Sequence, residues 1–216
     1  MTPRLIFRWI VFLLAAFYCV RTVIFSEYDG FAGPFRFLTV WALFASFYCA
    51  SRMIAREEGR TERRWDGLVS ATAVLNGMVV YLFWSLYFND PESVTRDGSL
   101  QNWWLEYYLH LIGPALQWID ALFIHRSFRT LQSGAAWLAG IVLAWIAWIE
   151  LVIQPLSSTP TGDVTSGLPY RFLNNMELAD RVPFYAANLA AGLGLLLVLA
   201  SFAWLVRWRF GTGSAP

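Results

Sequence analysis

The chain contains no lysine: its sixteen basic residues are all arginine, and fifteen Asp and Glu bring the formal net charge to +1. Charged residues make up only 14% of the 216, and the arginines are spread among predicted loops without forming a basic face. Nucleic acid is thereby excluded as a partner, because phosphate binding needs concentrated positive charge. There are two cysteines, Cys19 and Cys49, and two histidines, His110 and His125. Each cysteine falls inside an apolar stretch with no second thiol near it in sequence, so both read as packing residues and no disulfide framework follows. The two histidines lie about 22 Å apart along a helix, too far to ligate one haem iron from both faces. No metal or organic cofactor is expected. An internal repeat and a glycine-rich phosphate loop are also missing, which weakens the case for a transporter built from inverted repeats.

What the chain has in quantity is apolar surface. Hydrophobic residues are 57% and aromatics 18%, more than a soluble domain can bury. A membrane-spanning helix needs roughly 20 consecutive apolar residues. Six stretches qualify: Leu5 to Ser26, Phe35 to Ile54, Leu68 to Phe88, Asn102 to Ile124, Gly134 to Gln154 and Val182 to Val206. The predicted fold is one all-α integral membrane domain over residues 1–216, with six transmembrane helices in one bundle. The first stretch is too long for a signal peptide, carries Arg8 and Arg21, and lacks a small-residue cleavage site, so it reads as a retained helix.

Arginine placement predicts the threading. Arg4 and Arg8, the Arg52 to Arg64 segment, Arg126 with Arg129, and Arg207 with Arg209 share one side only if the chain crosses six times. The positive-inside rule then puts both termini in the cytoplasm. The acidic loop Asn89 to Gln101 and the Pro155 to Arg181 connection, with Tyr170 and Phe172, face outward. Tryptophans near span ends, including Trp9, Trp65, Trp103, Trp104, Trp204 and Trp208, read as interfacial anchors. Ala190, Ala191, Gly192 and Gly194 read as a close-packing face of the last helix.

Ionisable groups inside spans are costly and therefore mark candidate sites. Here they are Arg21, Glu106, His110, Asp120 and Glu150, with Thr39 and Asn76 as uncharged companions. At 1.5 Å per residue, Thr39 falls roughly 6 Å below the outer end of its helix, and Glu106 and His110 roughly 6 and 12 Å below theirs. Glu150 and Arg21 fall about one turn from the outer ends of theirs. Thus a hydroxyl, an imidazole, carboxylates and a guanidinium from four helices are expected at one level, with Asp120 near the inner surface. Glu106 and His110 are spaced i, i+4 and share a helix face. An imidazole beside Thr39 could take its proton and activate the hydroxyl toward an ester carbonyl.

Simpler roles exist for each residue. A threonine in a membrane helix ordinarily bonds back to its own backbone, Arg21 and Glu150 can neutralise each other, Asp120 can pair with Arg126, and Asn76 can bridge helices. Another functional reading is a small carrier or proton-coupled sensor using Glu106, His110 and Glu150 as a relay. A membrane interaction partner without chemistry would keep Thr39 and His110 apart.

The segments GPFRFLTVW, Gly33 to Trp41, and LHLIGPALQWI, Leu109 to Ile119, resemble the two signature regions of the androgen-induced-gene family of multi-span membrane proteins and its actinobacterial relatives. LPYRFLNN, Leu168 to Asn175, resembles the family's loop before the last helix, although its order Pro169, Tyr170, Arg171, Phe172 differs. Helix four also lacks the Asn that precedes the His region in animal members. The resemblance implies an intramembrane threonine hydrolase of fatty acid esters of hydroxy fatty acids, with Thr39 as nucleophile and His110 as base. It implies a lipid ester drawn from the bilayer as substrate and a bacterial cytoplasmic membrane as location. Glu106 or Glu150 could orient His110, and Asn76, Arg36 or backbone amides could stabilise the oxyanion.

Overall fold

The computed structural model describes residues 1–25, 30–95, 98–100 and 102–209. Ser26, at the expected end of the first span, and Arg96, Asp97 and Gln101, in the expected acidic loop, lie outside them. Among the described residues the protein is all-helical, 78% helix without a strand. Six helical rods follow in order: α1 (Pro3–Ile24), α2 (Leu38–Glu57), α3 (Asp66–Asn89), α4 (residues 103–124), α5 (Leu131–Leu156) and α6 (Leu178–Arg209).

Five of these, all but α4, are long and apolar enough to cross a membrane. The expected fourth span is helical throughout but interrupted, running α (Trp103–Tyr107), π (Tyr108–Ile112), α (Gly113–Ile119) and π (Asp120–Ile124). Part of the reason is local. Pro114 has no N–H to offer the carbonyl four residues back, so the ladder widens there and the His110 oxygen takes the Trp84 indole N–H instead, at 2.9 Å. A third π turn, Ile149–Ile153, lies within α5 just ahead of Pro155.

Other helix ends also shift from expectation. The stretch expected to open the second span is a separate 3-10 turn, Gly33–Arg36, entered through left-handed Ala32 (φ 61°) and Gly33 (φ 51°). α2 therefore begins at Leu38. α6 begins at Leu178, ahead of the expected Val182, and carries Pro183 inside its first turns.

α3 is the axis of the bundle. Its most apolar window is 78% buried, against 22% for α5 and α6, so the other helices pack around it. Small residues allow this: a Cβ on Gly77 would stand 2.8 Å from the Leu195 side chain, and one on Gly67 would overlap Ser133. In α6, Gly192 faces Leu138 and Met78, whereas nothing approaches Gly194, so the small-residue face packs in part only. The outward sides of α1 and α6 leave Leu13, Val20, Leu197 and Val198 more than half exposed, apolar faces of the kind a bilayer covers. Cys19 and Cys49 are buried and free, in keeping with packing roles.

The Arg-rich end is closed by ion pairs. Arg8, 4% exposed, donates to Asp120 Oδ1 at 3.1 and 3.2 Å, to Glu57 Oε2 at 2.6 Å and to the Met53 carbonyl at 3.2 Å. Asp120 thus pairs with Arg8 and not with Arg126. Beside it, Asp66 lies 2.9 Å from Arg64 and 2.8 Å from His125 Nε2. At the other end the 157–177 connection folds around buried Asn174, whose amide accepts from Leu168 N–H and donates to the Pro160 and Leu168 carbonyls.

Candidate active site

The first turn of α2 and the first π turn of α4 bring Thr39 and His110 together. Thr39 Oγ1 and His110 Nε2 are 3.4 Å apart. Thr39 is the second residue of α2, closer to the helix start than its expected 6 Å depth, and it does not bond back to its own backbone. The carbonyl it would use, Phe35 O, accepts the Trp41 and Trp148 indoles at 3.0 and 3.1 Å. Ser46, further along the same helix, does bond back, to Ala42 O at 2.8 Å. The Thr39 hydroxyl is therefore directed across to α4.

His110 is held on every side but that one. Its ring stacks on Phe83 with centroids 3.5 Å apart and planes 5° apart. Nδ1 lies 3.1 Å from Glu106 Oε2 and 3.1 Å from the Glu106 backbone oxygen. Two acceptors at Nδ1 favour a proton there, which leaves the Nε2 lone pair facing the threonine. The i, i+4 spacing that suggested the Glu106–His110 pair is realised, with the imidazole buried and the carboxylate more open (7% and 28% exposed).

The gathering is smaller than four helices. Glu150 receives Arg181 at 2.8 and 3.2 Å and the Tyr185 hydroxyl at 2.7 Å, clamping α5 to α6. None of these bonds leads to Glu106 or His110, so the three-residue relay is not assembled. Arg21 does not neutralise Glu150; its guanidinium lies 4.6 Å from the Trp104 ring centroid. Buried Arg36 turns to the Thr159, Gly167 and Leu168 carbonyls, and burial holds its guanidinium below the ordinary value. It pins the 157–177 connection against the start of α2. Asn76 bridges helices as expected, donating to Ser46 Oγ at 2.8 Å and to Thr72 O at 2.9 Å.

A cavity runs from Thr39 along the seam of α1, α2, α3 and α4, past Leu43 and Leu109 to Ser46, Asn76 and Gln117. It leaves about 10 Å³ to the centre of a water-sized sphere, room for about one water. Any acyl chain entering it must displace side chains. α2 starts on Phe37 without a side-chain cap, and Val40 N–H is taken by Phe37 O at 3.0 Å, so the Leu38 and Thr39 N–H groups are the uncapped amides beside the Thr39 hydroxyl. Among the described residues no cluster of His, Cys, Asp and Glu could hold a metal ion.

Sequence reasoning missed Phe83 and Trp84, which fix the ring and backbone of His110, and Gln117, which lines the cavity. Pro114 was the available signal, since a proline four residues after a histidine in a span frees that histidine's carbonyl. The model of the FAR-17a/AIG1-like protein family matches residues 4–203, and the chain belongs to that family. No curated protein and no solved structure matches it.

Proposed function

We propose that this member of the FAR-17a/AIG1-like family is an intramembrane hydrolase of lipid esters, of the fatty acid ester of hydroxy fatty acid type, with Thr39 as nucleophile and His110 as general base. The observation that carries this reading is the 3.4 Å approach of Thr39 Oγ1 to the imidazole nitrogen opposite the one that Glu106 engages. That separation exceeds a hydroxyl–imidazole hydrogen bond of about 2.8 Å, and catalytic bonds commonly tighten once substrate is bound.

In the first half-reaction the Thr39 proton passes to His110 Nε2 as Oγ1 bonds to the ester carbonyl carbon. His110 returns that proton to the departing alkoxide as the C–O bond breaks, leaving an acyl-threonine and a free alcohol. Water then loses a proton to His110, adds to the acyl carbon and releases the fatty acid, and the proton returns to Thr39. The Leu38 and Thr39 backbone N–H groups are the donors for the oxyanion, because they are the uncapped amides of the first turn of α2. Glu106 orients His110; Arg36, turned to the Thr159, Gly167 and Leu168 carbonyls, and Glu150, paired with Arg181 and Tyr185, act on structure.

The chain crosses the cytoplasmic membrane of a bacterium six times with both termini inside, as the arginine distribution indicates, with α4 as the interrupted fourth span. Thr39 and His110 then lie in the outer half, and the lipid ester enters sideways from the outer leaflet. The test is labelling with a fluorophosphonate probe followed by intact-mass and peptide analysis. An adduct on Thr39 that disappears in Thr39→Ala and His110→Ala is expected; an adduct elsewhere, or labelling unchanged in either variant, overturns the mechanism.

A further inference from the structure

The cavity has polar groups at both ends. Ser46 stands seven positions after Thr39 on α2, and Gln117 stands seven after His110 on α4. Two helical turns carry each about 10 Å along its helix. Asn76 joins them from α3, and all three line the same cavity as Thr39, with Leu43 on α2 and Gly113 and Pro114 on α4 between the two polar levels. Gln117 is 2% exposed, yet among the described residues its amide has no hydrogen bond to the protein. Asn76 is 3% exposed, and its Nδ2 is spent on Ser46 Oγ and Thr72 O, which leaves its oxygen without a protein donor. Buried amides are ordinarily satisfied, so two unfilled amide groups around a cavity with room for about one water leave a place for one small polar group.

Their chemistry selects what that ligand is. Gln117 offers donors and an acceptor, and Asn76 an acceptor; together they complement a hydroxyl, or a carbonyl oxygen bonded to Gln117 alone. A carboxylate is excluded by charge: the nearest cation toward the Arg-rich end, Arg8, is already committed to Asp120, Glu57 and Met53 O. We propose that Gln117 and Asn76 form a specificity subsite for a neutral oxygen carried on the acyl chain about 10 Å from the reacting carbonyl. The inference rests on Thr39 as the hydroxyl that meets the carbonyl. It adds to that reading a preference for oxygenated over plain hydrocarbon chains.

Binding separates the two. In the full-length Thr39→Ala protein in lipid nanodiscs, the probes are a long-chain fatty acid methyl ester, its derivative hydroxylated about 10 Å from the carbonyl, and the positional isomer of that derivative hydroxylated beside the carbonyl. The ester hydroxylated about 10 Å from the carbonyl is expected to bind about tenfold more tightly than the other two, the scale of one well-made buried hydrogen bond. Gln117→Met, of similar volume and unable to hydrogen-bond through nitrogen, should level the three affinities. Equal binding of all three esters to the protein with Gln117 intact overturns the proposal whether or not the Met variant folds. A preference that persists in Gln117→Met also overturns it, assigning the amide to a water or to packing. Positional preference together with no probe adduct on Thr39 would leave the subsite standing and remove the hydrolase reading. An adduct on Thr39 without the preference would do the reverse.

Discussion

The two histidines of this chain sit in matching surroundings at opposite ends of the same interrupted helix and its continuation. His110 is 5% exposed beside Glu106; His125 is 6% exposed beside Asp66. The difference lies in what else each meets. Around His125 the packing closes: Asp66 is shared with Arg64, and Ser70 and Ser127 bond to each other at 3.0 Å. Around His110 the second ring nitrogen faces a half-buried hydroxyl with a cavity next to it. An imidazole–carboxylate pair is thus common to both ends; the ring nitrogen that faces a hydroxyl beside a cavity belongs to His110 alone, and on it the proposed chemistry rests.

Replacing each histidine breaks this comparison most directly. His110→Ala is expected to lower ester turnover by about 10²–10⁴-fold, the contribution of a positioned general base. His125→Ala should leave turnover within about twofold and lower the thermal midpoint, because it strips a partner from half-buried Asp66 without touching the cavity. Fatty acid release and thermal unfolding, followed on the same nanodisc samples, check both; equal losses of turnover would erase the distinction.

The Arg-rich end should respond as structure. Arg8→Met strands Asp120 and Glu57 in a low-dielectric site and is expected to cost about 3–5 kcal/mol of stability. Arg8→Met combined with Asp120→Leu should recover much of that loss, since it is the uncompensated charge that destabilises. Chemical unfolding in detergent measures both; an additive double variant would mean the two side chains are not coupled.

The smallest effect sharpens the roles within the active end. Glu106→Gln should reduce turnover by only about tenfold, less than the loss from removing the base, because the Glu106 backbone oxygen still accepts from Nδ1 at 3.1 Å. A loss as large as that of His110→Ala would mean that the carboxylate does more than hold the ring.

How much of this was legible depends on the range of the interaction. The Glu106–His110 pair is an i, i+4 relation, and the Asn76 bridge follows from a lone amide in an apolar run, so both could be read from spacing. The pairing of Glu150 could not. Its partner is Arg181, thirty-one positions away and outside the span expected for α6, and α6 starts early enough to bring that arginine in. Arg36 was legible as a charge near the site but not as a clasp, because its acceptors are backbone carbonyls, which no sequence pattern announces. Gln117 was passed over because a glutamine in a span says little until its hydrogen bonds are counted.

By itself the sequence determined the helical, membrane-embedded class, through apolar runs too long and too numerous for a soluble core, and the short list of groups able to do chemistry. Tertiary structure alone decided which of them meet. Thr39 is at the start of its helix and His110 lies about two turns into its own, so equal depth along each helix would not have paired them. They touch because the Gly33–Arg36 turn, held by Arg36 to the 157–177 connection, sets where α2 begins, and because the π turn before Pro114 sets the direction of His110. Helix register and π-turn geometry depend on contacts between segments far apart in the chain, and those contacts exist only once the bundle has formed.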